Sequence, residues 1–303
     1  MTYRKQPKSP MERYTIRDFE RDFPTDEACL DWLREYLYPD GIFCKVCQAV
    51  TKHHRVRSRP SYSCDRCGHH EHPTAGTIFH RSRTPLRLWF RAIFLMAQTR
   101  CGISAKAIER DLGVTYKTAW RMFHEIRSLL CEDVTDLDGT VEVDETYVGG
   151  KPRKPIHGDM PRAIREAKAK KVMVLGMVER GGRVRAMVRP PNTISSNVIE
   201  HVLPTAMVFT DESPVYKRLT GSGYLHRRVN HSMKVYVFGD VHTNTIEGFW
   251  SLVKRGIGGT YHNVSEKYLQ MYLDEYGFRY NHRMDVQPMF QTFLRRMAKA
   301  SAD

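Results

Sequence analysis

Residues 140–150 read TVEVDETYVGG, a short apolar strand with a carboxylate, Asp144, set inside it. Burying an ionised carboxylate in apolar surroundings is costly unless it binds a metal or a paired charge. Asp144 therefore marks a candidate site. Working outward, KVMVLGMVE (171–179) and RVRAMVRP (183–190) read as two further strands, with Gly181-Gly182 turning the chain between them. A helix follows from Thr193 to Leu203, and then a fourth strand, AMVFT (206–210), leads into Asp211. Another strand is expected within RRVNHSMKVYV (227–237). A long helix is expected from His242 to Arg255, and a final one from Glu266 to Tyr280.

The second acid thus ends a strand, and a third, Glu247, lies on the helix with 35 residues between the two. Lys254 follows Glu247 by seven residues, so both share a helix face with Ser251 beside them, and Asn244 lies near that face. Carboxylates in this setting suit phosphoryl transfer on a nucleic-acid backbone. They hold two Mg²⁺ ions about 3.5–4 Å apart, one activating the attacking oxygen and one stabilising the leaving oxygen. Magnesium prefers such hard oxygen ligands, and Lys254 is placed to hold a phosphate as a point charge. The candidate metal set is Asp144, Asp211 and Glu247, with Asn244 the alternative third ligand. The order of elements, three strands, a helix, a strand ending in an acid and a later helix bearing another, matches a ribonuclease H-like layout.

Upstream, Cys44-Lys45-Val46-Cys47 and Cys64-Asp65-Arg66-Cys67 are separated by 16 residues. The x2 spacing lets both thiolates of a pair reach one ion, and two such knuckles complete a closed tetrahedral Zn²⁺ site that serves folding. His69, His70 and His72 are nearby, but four thiolates already fill the shell. Cys29, Cys101 and Cys131 are expected to be core thiols. Residues 102–130, GISAKAIERDLGVTYKTAWRMFHEIRSLL, read as two helices capped by Ser104 and Thr115 and joined by a turn at Gly113. That is the helix-turn-helix pattern. Its second helix would present Thr115, Tyr116, Lys117, Thr118 and Arg121 to the major groove, with Ala119, Trp120, Met122, Phe123 and Ile126 as its apolar face.

Forty-eight Lys and Arg against 34 Asp and Glu leave a net charge of +14 in 303 residues, which suits a polyanionic partner. Residues 151–171 hold eight Lys or Arg and two acids, and Lys151, Arg153 and Lys154 open this basic loop as candidate contacts to backbone phosphates. The longest apolar run, Leu86 to Met96, is broken by Arg87 and Arg91 and falls short of the ~18 residues of a membrane span. The first 25 residues hold no apolar stretch of the signal-peptide kind. A soluble, cytoplasmic protein is expected.

The CxxC pairs, VEVDETYVGG (141–150), the Asp of VFTDES (208–213), HTNTIEGFWSLVKRGIGGTYH (242–262) and RYNHR (279–283) together carry a resemblance over roughly residues 15–290. The chain resembles the DDE transposases of bacterial insertion sequences, in particular the ISXO-like group with an N-terminal zinc ribbon. The resemblance implies a ribonuclease H-like catalytic core, Mg²⁺ dependence and recognition of the element's terminal inverted repeats. It carries catalytic roles to Asp144, Asp211 and Glu247, while some relatives use Asn as the third residue. The expected organisation is an α+β multidomain chain. An N-terminal arm and helix (1–40) precede a zinc ribbon (41–80), a helix-turn-helix region (85–132) and a ribonuclease H-like α/β core (138–290). Expected partners are double-stranded DNA, as element ends and target, and a second copy of the chain. A DNA-binding regulator without activity and a nuclease that cleaves without joining are the competing functions. The buried acids argue against the regulator, and only a strand-transfer assay separates the nuclease.

Overall fold

The computed structural model describes residues 10–149, 171–211, 216, 219, 221–228 and 243–298. The chain forms two compact units, one of residues 1–130 with 282–303 and one of residues 131–281. The sequence placed the end of the second unit at 290.

In the first unit, Thr15 caps α1 (Ile16–Asp22) through a reciprocal box with Asp18, and Thr25 caps α2 (Asp26–Leu37). The region expected to hold an arm and one helix (1–40) therefore holds two helices, and Phe19 of the first is fully buried. A hairpin of β1 (Phe43–Cys44) and β2 (Ala49–Val50) is followed by a three-stranded antiparallel sheet of β3 (His53–Val56), β4 (Ser61–Cys64) and β5 (His70–Glu71). Three helices follow: α3 (Leu86–Gln98), α4 (Ala105–Leu112) and α5 (Tyr116–Ser128).

The second unit contains β6 (Thr140–Val148), β7 (Val172–Glu179), β8 (Val184–Val188), α6 (Ile194–His201), β9 (Met207–Thr210), β10 (Leu225–Arg228), α7 (Asn244–Arg255) and α8 (Glu266–Asn281). The last helix, α9 (Met289–Ala298), returns to the first unit. There Phe290 stacks on Tyr14 at 4.9 Å and meets Phe19 and Phe23 edge-on. The helices expected from the sequence end at Tyr280, so this one goes beyond that expectation, and nothing local to MFQTFLRRMA says which core it joins.

Among the described residues, the second unit has a five-stranded sheet in the order β10-β9-β6-β7-β8. β6, β7 and β8 pair antiparallel, and β9 and β10 run parallel to β6. Gly181, at φ +78°, turns the chain between β7 and β8. Alternate side chains of β7 enter opposite cores, as a pleated strand requires. Met173, Leu175 and Met177 pack with Ile194 and Val198 of α6, whereas Val174 and Val178 pack with Ile246, Phe249, Trp250 and Val253 of α7 and Leu269 and Leu273 of α8. The sheet is thus covered on both faces. The free edge of β8 is closed by amide side chains of α8. Asn281 accepts from Val184 N and donates to its carbonyl, and Gln270 does the same for Val188 N and the Ala186 carbonyl.

Residues 151–170 of the basic loop, with Lys151, Arg153 and Lys154, lie outside the described residues, as do residues 229–237 of the expected fifth strand, whose first two residues end β10. Among the described residues, no helix is long and apolar enough to cross a membrane.

Candidate functional site

The parallel register of β6 with β9 pairs Glu142 with Phe209, so Asp144 and Asp211, each two residues further on, stand side by side. Carboxylate oxygens of Asp144, Glu145 and Asp211 lie within 4.8 Å of one another. Asp144 faces α7 and accepts a hydrogen bond from Trp250 Nε1 at 3.0 Å. Burial, then the charges of Glu145 and Asp211, push its carboxyl up from 3.8 to about 6. Glu145, next on the strand, accepts a hydrogen bond from the Tyr216 hydroxyl, and burial raises its carboxyl as well. The sequence singled out Asp144 and Asp211 but not Glu145. Its only signal was adjacency to Asp144, and neighbours on a strand normally part company to opposite faces.

Room for the Trp250 ring comes from Gly176, the register partner of Asp144. A Cβ there would run into that ring and into Ile246 Cδ1 at 2.9 Å. On α7, Asn244, Glu247, Ser251 and Lys254 are exposed, whereas Ile246, Phe249, Trp250 and Val253 are buried. Glu247 accepts from the Thr243 hydroxyl at 3.1 Å and is not one of the three clustered acids. The start of α7 is held by Glu142 of β6, which is fully buried. This carboxylate accepts from Thr245 N at 2.8 Å, Ile246 N at 3.0 Å, the Thr245 hydroxyl at 2.9 Å and Arg180 Nε at 2.7 Å.

The four knuckle cysteines bring their sulfurs within 4.8 Å of one another. Cys44 and Cys67 are 3.5 Å apart and Cys47 and Cys64 are 3.9 Å apart. A tetrahedron of sulfurs about 2.3 Å from zinc has edges of about 3.8 Å, so the residues present fit that ion. The Thr51 hydroxyl, then the backbone N–H groups of Cys67 and Arg66, hold the Cys64 thiol down to about 5, which favours the ligating thiolate. None of the nearby histidines belongs to the group, and His70 instead pairs with Ser61 at 3.1 Å. Of the remaining cysteines expected in the core, only Cys29 is buried. Cys101 is half-buried in a turn and Cys131 is exposed beyond the end of α5.

α4 and α5 are capped by Ser104 and Thr115 and joined through Gly113 in the left-handed conformation at φ +65°. Thr115, Tyr116, Lys117 and Arg121 are exposed and Thr118 is half-buried. Arg121 lies over the Trp89 ring at 5.4 Å and donates to Ser82. Trp120, expected on the apolar face, is 37% exposed and rests on His124, with ring centroids 4.0 Å apart. The apolar face of α5 is Ala119, Met122, Phe123 and Ile126.

Residues 136–281, nearly the whole second unit, match the family described as ISXO2-like transposase domain. Residues 24–70 match the transposase zinc-ribbon domain. Over 277 residues the chain is 27% identical to an uncharacterized protein in transposable element ISH50 of Halobacterium salinarum, spanning 86% of this chain and 92% of that protein. Over 97 residues it is 31% identical to an uncharacterized transposase-like protein of Haemophilus influenzae, spanning 30% of this chain and 76% of that protein. No solved structure matches the chain. The four gathered thiolates and the acids on adjacent strands thus fall within the two matched domains, and the chain belongs to the ISXO2-like transposases of insertion sequences that carry a transposase zinc ribbon.

Proposed function

We propose that this transposase works as a DDE enzyme on a ribonuclease H-like core, cutting DNA at its element's ends and joining the freed 3′ ends to target DNA. The observation that carries this is the pairing of Asp144 and Asp211 on neighbouring parallel strands, with their carboxylates clustered. Three antiparallel strands followed on one side by two parallel ones, with helices on both faces, support the core assignment.

The acidic cluster suits Mg²⁺: its donors are hard oxygens, and their mutual repulsion is what a divalent cation offsets. Two such ions, when bound, supply activation of the attacking oxygen and stabilisation of the leaving oxygen in both the cleavage and the joining step. The protein's own part is to hold the acids in register. Asp144 is oriented by the Trp250 indole and Glu145 by the Tyr216 hydroxyl. Glu247 is the third acid of the set in this reading, and Asn244 assists at the start of the same helix. Lys254, two turns on, steadies a phosphate of the bound strand. α4 and α5 act as a helix-turn-helix whose second helix reads the element ends, and the loop 151–171 grips backbone phosphates.

The test is incubation of the protein with labelled DNA from its own locus, with and without Mg²⁺, followed through cleavage and joining. Asp144→Asn and Glu247→Gln should abolish both steps while end binding survives, and Asn244→Ala should only slow them. Normal cleavage by Asp144→Asn would sink the proposal. Normal cleavage by Glu247→Gln with a dead Asn244→Ala would make Asn244 the third ligand. Cleavage without joining by the wild type would leave a nuclease.

A further inference from the structure

We infer that Glu142 is the positioning residue that sets helix α7, and with it Glu247, against the two strands carrying Asp144 and Asp211; the inference rests on the proposed metal-dependent function. Thr243, at the start of the helix, caps nothing with its side chain, and its hydroxyl instead bonds Glu247. The cap comes from a strand more than a hundred positions earlier. Glu142 Oε2 receives two N–H groups of the first helical turn, from Thr245 and Ile246, and Oε1 receives the Thr245 hydroxyl. A carboxylate suits this place, because N–H groups and the positive end of the helix dipole converge on it.

The same carboxylate ties in the neighbouring strands. Arg180, just past β7, donates to Glu142 Oε1 and lays its guanidinium over the Phe209 ring of β9, 4.6 Å from the centroid. Phe209 lies two residues before Asp211, and Glu142 two residues before Asp144. Glu142 and Asp144 face the same helix, and each fixes one point of it: Glu142 holds Thr245 and Ile246, and Asp144 holds Trp250. Two strand residues advance about 6.6 Å, and four helix residues from Ile246 to Trp250 advance about 6 Å. The helix is therefore laid along the strand with matched spacing, and Glu247 sits between the two anchor points. A buried carboxylate with an arginine partner and two orphan N–H groups is an expensive way to close a helix. A threonine or serine cap would satisfy the same backbone locally. What the long-range cap adds is a defined distance between the helix and the strand of the first acid.

The test uses full-length, zinc-loaded protein and Mn²⁺ as the probe, measured by calorimetry without DNA, alongside single-turnover cleavage of element ends. Glu142→Gln should weaken Mn²⁺ binding about tenfold and slow cleavage about 10- to 100-fold, with end binding unchanged. Because Glu142 acts through Glu247, the double variant Glu142→Gln/Glu247→Gln should bind Mn²⁺ no more weakly than Glu247→Gln alone. Wild-type Mn²⁺ affinity in Glu142→Gln overturns the inference, and so do losses that multiply in the double variant. Should Glu142→Gln fail to fold, as judged by zinc content and circular dichroism, Thr245→Val removes one bond to the same carboxylate and no charge. It should weaken Mn²⁺ binding about threefold, and no change there overturns the inference. A wild type that binds Mn²⁺ but never cleaves defeats the proposed function, and the affinities still judge Glu142. A wild type that binds no Mn²⁺ defeats both.

Discussion

Replacing Asp144 by Asn should stabilise the protein while killing its chemistry. In the folded chain the Asp144 carboxyl is pushed from 3.8 to about 6 by burial and by the neighbouring charges of Glu145 and Asp211. The folded state therefore holds this proton more tightly than the unfolded chain does. Well below pH 4 the group is neutral in both states and costs nothing; between about 4 and 6 the unfolded chain sheds the proton while the folded state keeps it, and the cost builds. As the pH rises through about 6 the folded state must carry an unfavourable charge, and the cost becomes complete near neutrality. A gap of about 2 pH units, at about 1.4 kcal/mol each, makes this cost about 3 kcal/mol. The neutral amide of the Asp144→Asn variant escapes it and still offers an oxygen to the Trp250 indole. For a unit of this size about 3 kcal/mol is worth about 6–12 °C in melting temperature. The assay is scanning calorimetry of zinc-loaded wild type and Asp144→Asn at pH 7 and pH 4, in buffer free of magnesium and of chelator. The variant should melt higher at pH 7 and much closer to the wild type at pH 4, and added Mg²⁺ should raise the wild type alone. A variant that melts no higher at pH 7, or a gap as large at pH 4 as at pH 7, would refute the reasoning.

Three other outcomes are expected. Gly176→Ala forces a methyl into the Trp250 ring and should cost about 1–3 kcal/mol in denaturant unfolding, with Mg²⁺-dependent cleavage falling as the indole leaves Asp144. Cys47→Ser, or zinc removal by a chelator, should abolish the ordered amide signals of residues 42–71 while those of β6 to β8 persist; dispersed ribbon signals in metal-free protein would contradict this. Lys117→Ala at the exposed start of α5 should weaken binding to element ends by about 1–3 kcal/mol if it meets a base, or weaken all DNA alike if it meets phosphate, and unchanged binding would leave α5 as packing alone.

Local pattern carried much of this protein. The two x2 cysteine pairs needed only their spacing to declare a tetrathiolate site, because each knuckle is a few residues long. Ser104, Gly113 and Thr115 could be read as cap, turn and cap, since helix ends are satisfied by adjacent residues. Asp144 within an apolar strand and Asp211 at the end of another were visible for the same reason: alternation over a few residues tells which carboxylates will be costly to bury. What the sequence could not contain was register. The clustering of Glu145 with Asp144 and Asp211 follows from the pairing of β6 with β9, and the Trp250 bond to Asp144 from helix α7 crossing Gly176. The Glu142 cap joins positions 103 and 104 residues apart. The return of α9 to the first unit is equally non-local. Spacing along the chain sets which face a side chain takes on its own element; only the assembled sheet and helices decide which charges meet across that face.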